Sequence, residues 1–284
     1  MNKTIALLGA GWLGEPLAHR LLKIGYNVKV ATTSEEKASR LRAFGWDTYV
    51  LELHPDRISG DTERFFAADQ LVLTVPPGGR RDPAVVNTYP AKIQQALQAA
   101  QAGGIQQVLF TSSTGIYGEQ EGRVTEDSPL QPTTGSGKAL MEVERLLKES
   151  FANEATILRL AGLVGGNRQP GRWFAGKEDI SGGEEFVNLV HREDVLALIE
   201  GVLVDAHWGH TLNICADEHP IKADFYPVAS KAIGLAAPTF ITDFEQSQGK
   251  IIDNTRGKAV LAFAYRYPNP LAFPFEEGEG SSVP

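Results

Sequence analysis

The stretch Gly9-Ala10-Gly11-Trp12-Leu13-Gly14 constrains this chain more than any other. It lies between a short apolar run, Thr4 to Leu8, that reads as a β-strand and a segment with Leu17, Ala18, Leu21 and Leu22 on one helical face. Glycines at this spacing are weak evidence alone and stronger between a strand and a helix. The first permits a tight turn, the second lets the backbone approach a pyrophosphate, and the third lets helix and strand pack closely. Backbone N–H groups and the helix dipole then favour a phosphate. This predicts a dinucleotide held by Gly9, Gly11, Trp12, Leu13 and Gly14. The competing reading is a glycine turn that binds nothing.

The same alternation continues. Strands are predicted at Asn27–Ala31, Thr48–Leu53, Leu71–Val75, Gln107–Ser112, Ala155–Ala161 and Thr211–Cys215. Helices are predicted from Glu35 to about Ala43 with Ser34 as cap, and over Ala91–Ala102, Lys138–Ser150 and Glu193–Val204. Such a βαβα order means a parallel sheet covered on both faces, a doubly wound α/β fold of Rossmann type. Residues 1–165, completed by 186–215, are read as the dinucleotide-binding domain. Residues 166–185 and 216–284 are read as a smaller substrate lobe, with helices around Ala223–Ile233 and Arg256–Phe263 and a frayed tail from Glu276. Ligands of this fold bind at the carboxyl ends of the strands. That adds Thr74, Val75 and Pro76 at the end of the fourth strand, and Thr111 and Ser112 at the end of the fifth, to the cofactor contacts.

The second strand decides the coenzyme. An NAD site usually carries Asp or Glu about 20 residues past the glycines to bond the ribose 2′-hydroxyl. Here the strand tip is Thr32-Thr33-Ser34, with Lys37 and Arg40 on the following helix. Three hydroxyls and Arg40 suit a 2′-phosphate, so NADP is favoured and NAD is the alternative. Glu35 and Glu36 oppose this, unless they only complement the helix N-terminus.

Composition excludes several classes. A net charge of −8 does not provide the positive footprint of a nucleic-acid binder. No run approaches the roughly 20 apolar residues of a membrane span, and the apolar start of the chain reads as the first strand rather than a leader. The lone cysteine, Cys215, permits no intrachain disulfide and fits a reducing, cytoplasmic setting. His207 and His210 are spaced like ligands, but no carboxylate or cysteine set completes them, so no metal is expected.

Several segments resemble the extended short-chain dehydrogenase/reductases of the NAD-dependent epimerase/dehydratase family. They are Thr111-Ser112-Ser113-Thr114-Gly115-Ile116-Tyr117-Gly118, then Glu126, Pro129 and Pro132, then Arg159-Leu160-Ala161-Gly162-Leu163-Val164-Gly165, then Val190-His191-Arg192-Glu193-Asp194, and Asn213-Ile214-Cys215. The resemblance implies a Ser/Thr, Tyr, Lys catalytic set and substrates that are often nucleotide sugars. Ser113 matches the serine and Lys138 the lysine, which also bonds the nicotinamide ribose. Four residues before Lys138, where the family has its tyrosine, stands Thr134. A threonine hydroxyl does not ionise usefully near neutral pH, unlike a phenol beside a lysine. Tyr117 is the nearest substitute in sequence.

Arg172 and Lys177, close to Arg168, are candidate contacts for a substrate phosphate or carboxylate. The alternative is a solvated loop paired with Glu178 and Asp179. Two functions follow: an NAD(P)-dependent oxidoreductase or epimerase-like enzyme acting on a small, sugar-derived substrate, or a non-enzymatic dinucleotide-binding, redox-sensing protein. A homodimer is compatible with either.

Overall fold

The computed structural model describes residues 3–78, 82–245 and 248–275. The tail read as frayed lies outside these residues. The central sheet is built from β1 (Thr4–Leu8), β2 (Asn27–Thr32), β3 (Asp47–Val50), β4 (Gln70–Leu73), β5 (Gln107–Ser113), β6 (Ala155–Leu160) and β7 (Thr211–Ile214). Its seven strands lie in the order β7-β6-β5-β4-β1-β2-β3. β1 pairs in parallel with both β2 and β4, so the strand order reverses at β1 and β4. Ile5, Ala6, Leu7, Leu71, Val72 and Leu73 are wholly buried, as a sheet covered on both faces requires.

The helices of seven or more residues are α1 (Gly14–Lys23), α2 (Glu35–Ala43), α3 (Val85–Ala102), α4 (Gly135–Phe151), α5 (Arg192–Val204), α6 (Lys222–Ala232) and α7 (Thr255–Leu261). α1 buries Leu17, Ala18 and Leu21, the stripe read from its periodicity. It ends where Gly25, at φ +92°, lets the Tyr26 N–H return to the Leu21 carbonyl. Most boundaries shift from the sequence reading by one to three residues, and two differences have a readable cause. The third strand leaves the sheet after Val50, and Glu52–Leu53 pairs instead with Ile58–Ser59 in a small antiparallel hairpin. Helix α3 begins six residues before Ala91 and runs through Pro90. Burial of Val85, Tyr89, Pro90 and Ile93 outweighs the hydrogen bond that the proline removes. The Tyr89 hydroxyl also fixes this end of the helix by donating to the Val75 carbonyl at 2.7 Å.

The chain forms two compact units. The first contains Met1–Gly118, Leu130–Arg159 and Ile199–Thr211. The second contains Glu119–Pro129, Leu160–Leu198 and Leu212–Pro284. The second unit holds two short parallel pairs, Gly162–Val164 with Leu189–His191 and Gly122–Val124 with Lys250–Ile252. Its core gathers Val164, Val187, Leu189, Phe225, Tyr226 and Phe273. The Glu126 side chain is covered within this unit and accepts the Asn213 N–H at 2.8 Å, which joins two of the segments that carry the family resemblance.

His191 is enclosed in the second unit against Tyr267 and Phe273. Its Nδ1 accepts the Glu193 N–H, so the neutral ring is the form that fits. Burial pushes its pKa from 6.5 down to about 4. The unfolded chain therefore binds a proton between these values that the folded chain does not, and stability falls as pH drops through that window. Lowering the pH from 7.5 to 5 should cost about 2 kcal/mol through this residue. Urea unfolding at the two pH values measures it, and His191→Gln should flatten the dependence. An equally steep dependence in the variant would remove His191 as its source.

Candidate functional site

The glycine loop leaves β1 at the point where the strand order reverses. Gly9 takes φ +115°, and a Cβ there would stand 2.9 Å from Thr74 Oγ1. A Cβ on Gly14 would stand 2.1 Å from the Gly9 carbonyl oxygen, so α1 packs against the loop with no room for a side chain. Gly11 is different. The nearest atom to a Cβ at that position is 4.0 Å away, and the residue faces open space. Two of the glycines are demanded by the turn and its packing, and the third keeps a surface bare.

That bare surface lines a cavity of about 380 Å³. Its walls include Gly9, Ala10 and Gly11 from the loop, Thr32 and Thr33 at the tip of β2, Glu52 beyond β3, and Thr74, Val75 and Pro76 after β4. The structure thus brings together seven of the residues singled out in the sequence as cofactor contacts. Asp82, just before α3, and Thr88, Lys92 and the buried Tyr89 on it close another side; the sequence reading missed all four, because it began this helix at Ala91 and left Asp82, Thr88 and Tyr89 outside it, and nothing local singles out Lys92. Leu13 is buried before the first turn of α1 and Trp12 is half-buried beside it; neither lines this cavity.

At the tip of β2, the Ser34 hydroxyl caps α2 by accepting the Lys37 N–H at 3.2 Å. The Thr32 hydroxyl accepts the Ser34 N–H. Each hydroxyl keeps its own proton to donate. Arg40 donates to Glu15 Oε1 at 2.6 Å, and Lys37 Nζ lies 2.7 Å from Glu15 Oε2 while also donating to the Ala10 carbonyl. Burial raises the Glu15 carboxyl, but the hydrogen bonds from Lys37 and Arg40 outweigh it and hold the group below its usual range. Glu35 is turned to Arg42 at 2.8 Å.

Past β5, Thr111 Oγ1 donates to the Leu73 carbonyl at 3.3 Å. Ser112 is buried and donates to Glu144 Oε1 of α4 at 2.7 Å. Glu144 pairs with Arg159 of β6 at 2.7 Å, both side chains being 3% exposed, and Arg159 donates to the Tyr117 hydroxyl at 2.8 Å. Tyr117 is wholly buried. Ser113 is half-buried, and its hydroxyl accepts the Gly115 N–H at 3.1 Å. Lys138 is exposed and lines a second cavity of about 760 Å³, with Val86, Pro90, Pro132 and Met141 among its walls. Arg172 and Lys177, in the second unit, are exposed, and Lys177 Nζ lies 5.4 Å from the centre of the Phe174 ring.

The model of the NAD dependent epimerase/dehydratase family matches residues 5–177. This chain belongs to that family. It is 41% identical over 276 residues to Protein YeeZ of Escherichia coli K12, covering 96% of this chain and 100% of that protein. Among solved structures, the UDP-glucuronic acid 4-epimerase of Bacillus cereus in complex with NAD superposes with a TM-score of 0.76 at 18% identity, covering 96% of each chain. A functionally unknown conserved protein of Silicibacter pomeroyi gives a TM-score of 0.74 at 22% identity, covering 95% of this chain and 96% of that one. At those identities the two structures show a shared fold.

Thr134 is the N-cap of α4, and its Oγ1 accepts the Gly137 N–H at 3.0 Å. A tyrosine at the same place has no oxygen near enough to its backbone to make that bond. Among the described residues no group of three or more His, Cys, Asp or Glu gathers as a metal would need. No helix among them is long and apolar enough to cross a membrane.

Proposed function

We propose that this protein binds a nicotinamide dinucleotide, NADP in preference to NAD, and performs oxidoreductase or epimerase-type chemistry on a small sugar-derived substrate in the cytoplasm. The cavity at the reversal of the strand order carries this reading. It joins the bare Gly11 surface, the hydroxyls at the β2 tip and the Thr74-Val75-Pro76 turn. The coenzyme, when bound, supplies hydride transfer. Gly9, Gly11 and Gly14 would shape its pyrophosphate cradle, with Trp12 and Leu13 contributing backbone N–H groups. Thr32, Thr33, Ser34 and Arg40 would hold a 2′-phosphate, the hydroxyls donating and the guanidinium pairing. Thr111 and Ser112 contribute by fixing the end of β5, since both hydroxyls are engaged within the protein. Ser113 is then left to meet a substrate hydroxyl, and Arg172 and Lys177 to meet its anionic group. The UDP-sugar named for the B. cereus epimerase sets the substrate class to try first. Tyr117 is better read as a packing residue, because Arg159 and full burial hold its phenol.

A second reading has specific support. Thr134 caps a helix where the family has its phenol, and Lys138 lines a cavity other than the one at the glycine loop. Both favour a dinucleotide-binding protein without turnover, such as a redox sensor, alone or as a homodimer. A screen of UDP-sugars with both coenzymes separates the two. Turnover that Ser113→Ala removes supports the enzyme. Tight coenzyme binding with no turnover of any substrate in the screen supports the sensor.

The coenzyme preference is tested separately. NADPH should bind about tenfold more tightly than NADH, the effect of one charge-assisted hydrogen bond or more on the 2′-phosphate. Arg40→Ala should erase most of that difference. A clear NADH preference in the wild type would show that the β2-tip hydroxyls act only as caps.

A further inference from the structure

The two cations available for a 2′-phosphate are already engaged by a carboxylate of the same chain. Glu15, on the first turn of α1, places one oxygen 2.7 Å from Lys37 Nζ and the other 2.6 Å from Arg40 NH2. Its side chain is 12% exposed, so solvent screens the cluster only partly. Lys37 Nζ also donates to the carbonyl of Ala10, the second residue of the glycine loop, and Ala10 lines the cavity beside Thr32 and Thr33. The cluster is thus built across the gap between the glycine loop and α2, next to the β2 tip. Of the other acids nearby, Glu35 is turned to Arg42, and Glu52 lines the cavity beside Thr32 and Thr33 without pairing to Lys37 or Arg40 in the way Glu15 does.

We infer that Glu15 is a specificity-determining residue that occupies Lys37 and Arg40 in place of a coenzyme 2′-phosphate and so sets how strongly the site discriminates NADPH from NADH. A carboxylate with two oxygens, each on its own cation, presents to them the same charge-assisted bonds that phosphate oxygens would. NADPH must draw Lys37 and Arg40 partly away from Glu15, and it meets the negative charge of Glu15 at close range. NADH carries no charge at that position and is indifferent to the cluster. Two cations against one carboxylate still leave one positive charge in excess, so the site retains attraction for a phosphate while the carboxylate limits it. This rests on the dinucleotide site proposed above, and it concerns the ratio of the two affinities rather than either alone.

The test is the ratio of dissociation constants, NADH over NADPH, measured by fluorescence titration on the full chain. Glu15→Gln should raise that ratio about tenfold, the scale of one charge-assisted hydrogen bond regained by the 2′-phosphate, and Glu15→Ala should move it in the same direction. Adding Arg40→Ala to Glu15→Gln should cancel most of the gain. Measurable NADH binding by each variant shows that the cradle is folded. An unchanged ratio in both single variants, or one shifted toward NADH, overturns the inference while leaving the dinucleotide site intact. A wild type that binds neither coenzyme overturns both. If the wild type binds NADH more tightly but Glu15→Gln still shifts the ratio tenfold toward NADPH, the proposed preference falls and the role of Glu15 stands.

Discussion

Gly11→Val is expected to lose NADPH affinity by about a hundredfold or more while the protein keeps its fold, its melting temperature moving little. The separation comes from the geometry of the loop. A Cβ on Gly11 meets nothing nearer than the Gly9 carbonyl oxygen at 4.0 Å, and the residue does not sit at positive φ, so valine fits the backbone. Its methyl groups would project into the cavity that Gly11 lines. They would hold a pyrophosphate off the backbone N–H groups, and two charge-assisted hydrogen bonds at roughly 1.5–3 kcal/mol each exceed the 2.7 kcal/mol that a hundredfold represents. Gly14→Ala is the contrast, because its Cβ would collide with the Gly9 carbonyl and should cost stability directly. Calorimetric titration with NADPH beside thermal melting reads both. Unchanged affinity in a folded Gly11→Val protein would sink the dinucleotide assignment.

The second large effect is structural. Glu144→Ala should destabilise the protein by about 3–5 kcal/mol, the usual result of leaving one member of a buried ion pair alone. Glu144 is 2% exposed, and its carboxylate takes hydrogen bonds from both Arg159 and Ser112. Removing it strands the Arg159 guanidinium and the Ser112 hydroxyl together. For a chain of this size the melting temperature should fall by roughly 10 °C. Replacing both charges, Glu144→Leu with Arg159→Met, should recover much of the loss, because no uncompensated charge then remains. A single variant that melts within about 2 °C of the wild type would show the pair to be expendable. The network also bears on the site, since Ser112 directly precedes Ser113 and is tied through Glu144 to the helix that carries Lys138.

The sequence spelled out the glycine loop, α1 and the β2 tip because each is written in neighbouring residues. Ser34 can be read as a cap from its own position, and Leu17, Ala18 and Leu21 from their spacing. The Glu144 network could not be read in that way. Its bonds join residues 32 and 42 positions apart, Ser112 to Glu144 and Tyr117 to Arg159. One local signal did exist, since Glu144 falls in the buried stripe of Leu140, Val143 and Leu147, where an acid needs a partner. The family resemblance picked out Lys138 and the helix pattern began at it, but which cavity it lines depends on the packing of α3 against α4. The three-residue pairing of Gly122–Val124 with Lys250–Ile252 is too short to show any period, and Pro90 hid the true start of α3.

The chain passes between its two units five times, after Gly118, Pro129, Arg159, Leu198 and Thr211. Order of synthesis is therefore a poor guide to order of folding. The first unit cannot assemble in full from its N-terminal 118 residues, because it also needs Leu130–Arg159 and Ile199–Thr211. The ribosome must deliver about three quarters of the chain before every piece of that unit exists, and by then most of the second unit's middle segment has emerged as well. Folding in which one domain finishes before the next begins is unavailable to such a thread. A nascent chain stalled between Leu160 and Thr211 should expose the apolar edge of β6 to chaperones, and no single cut between the units releases either one as a continuous piece.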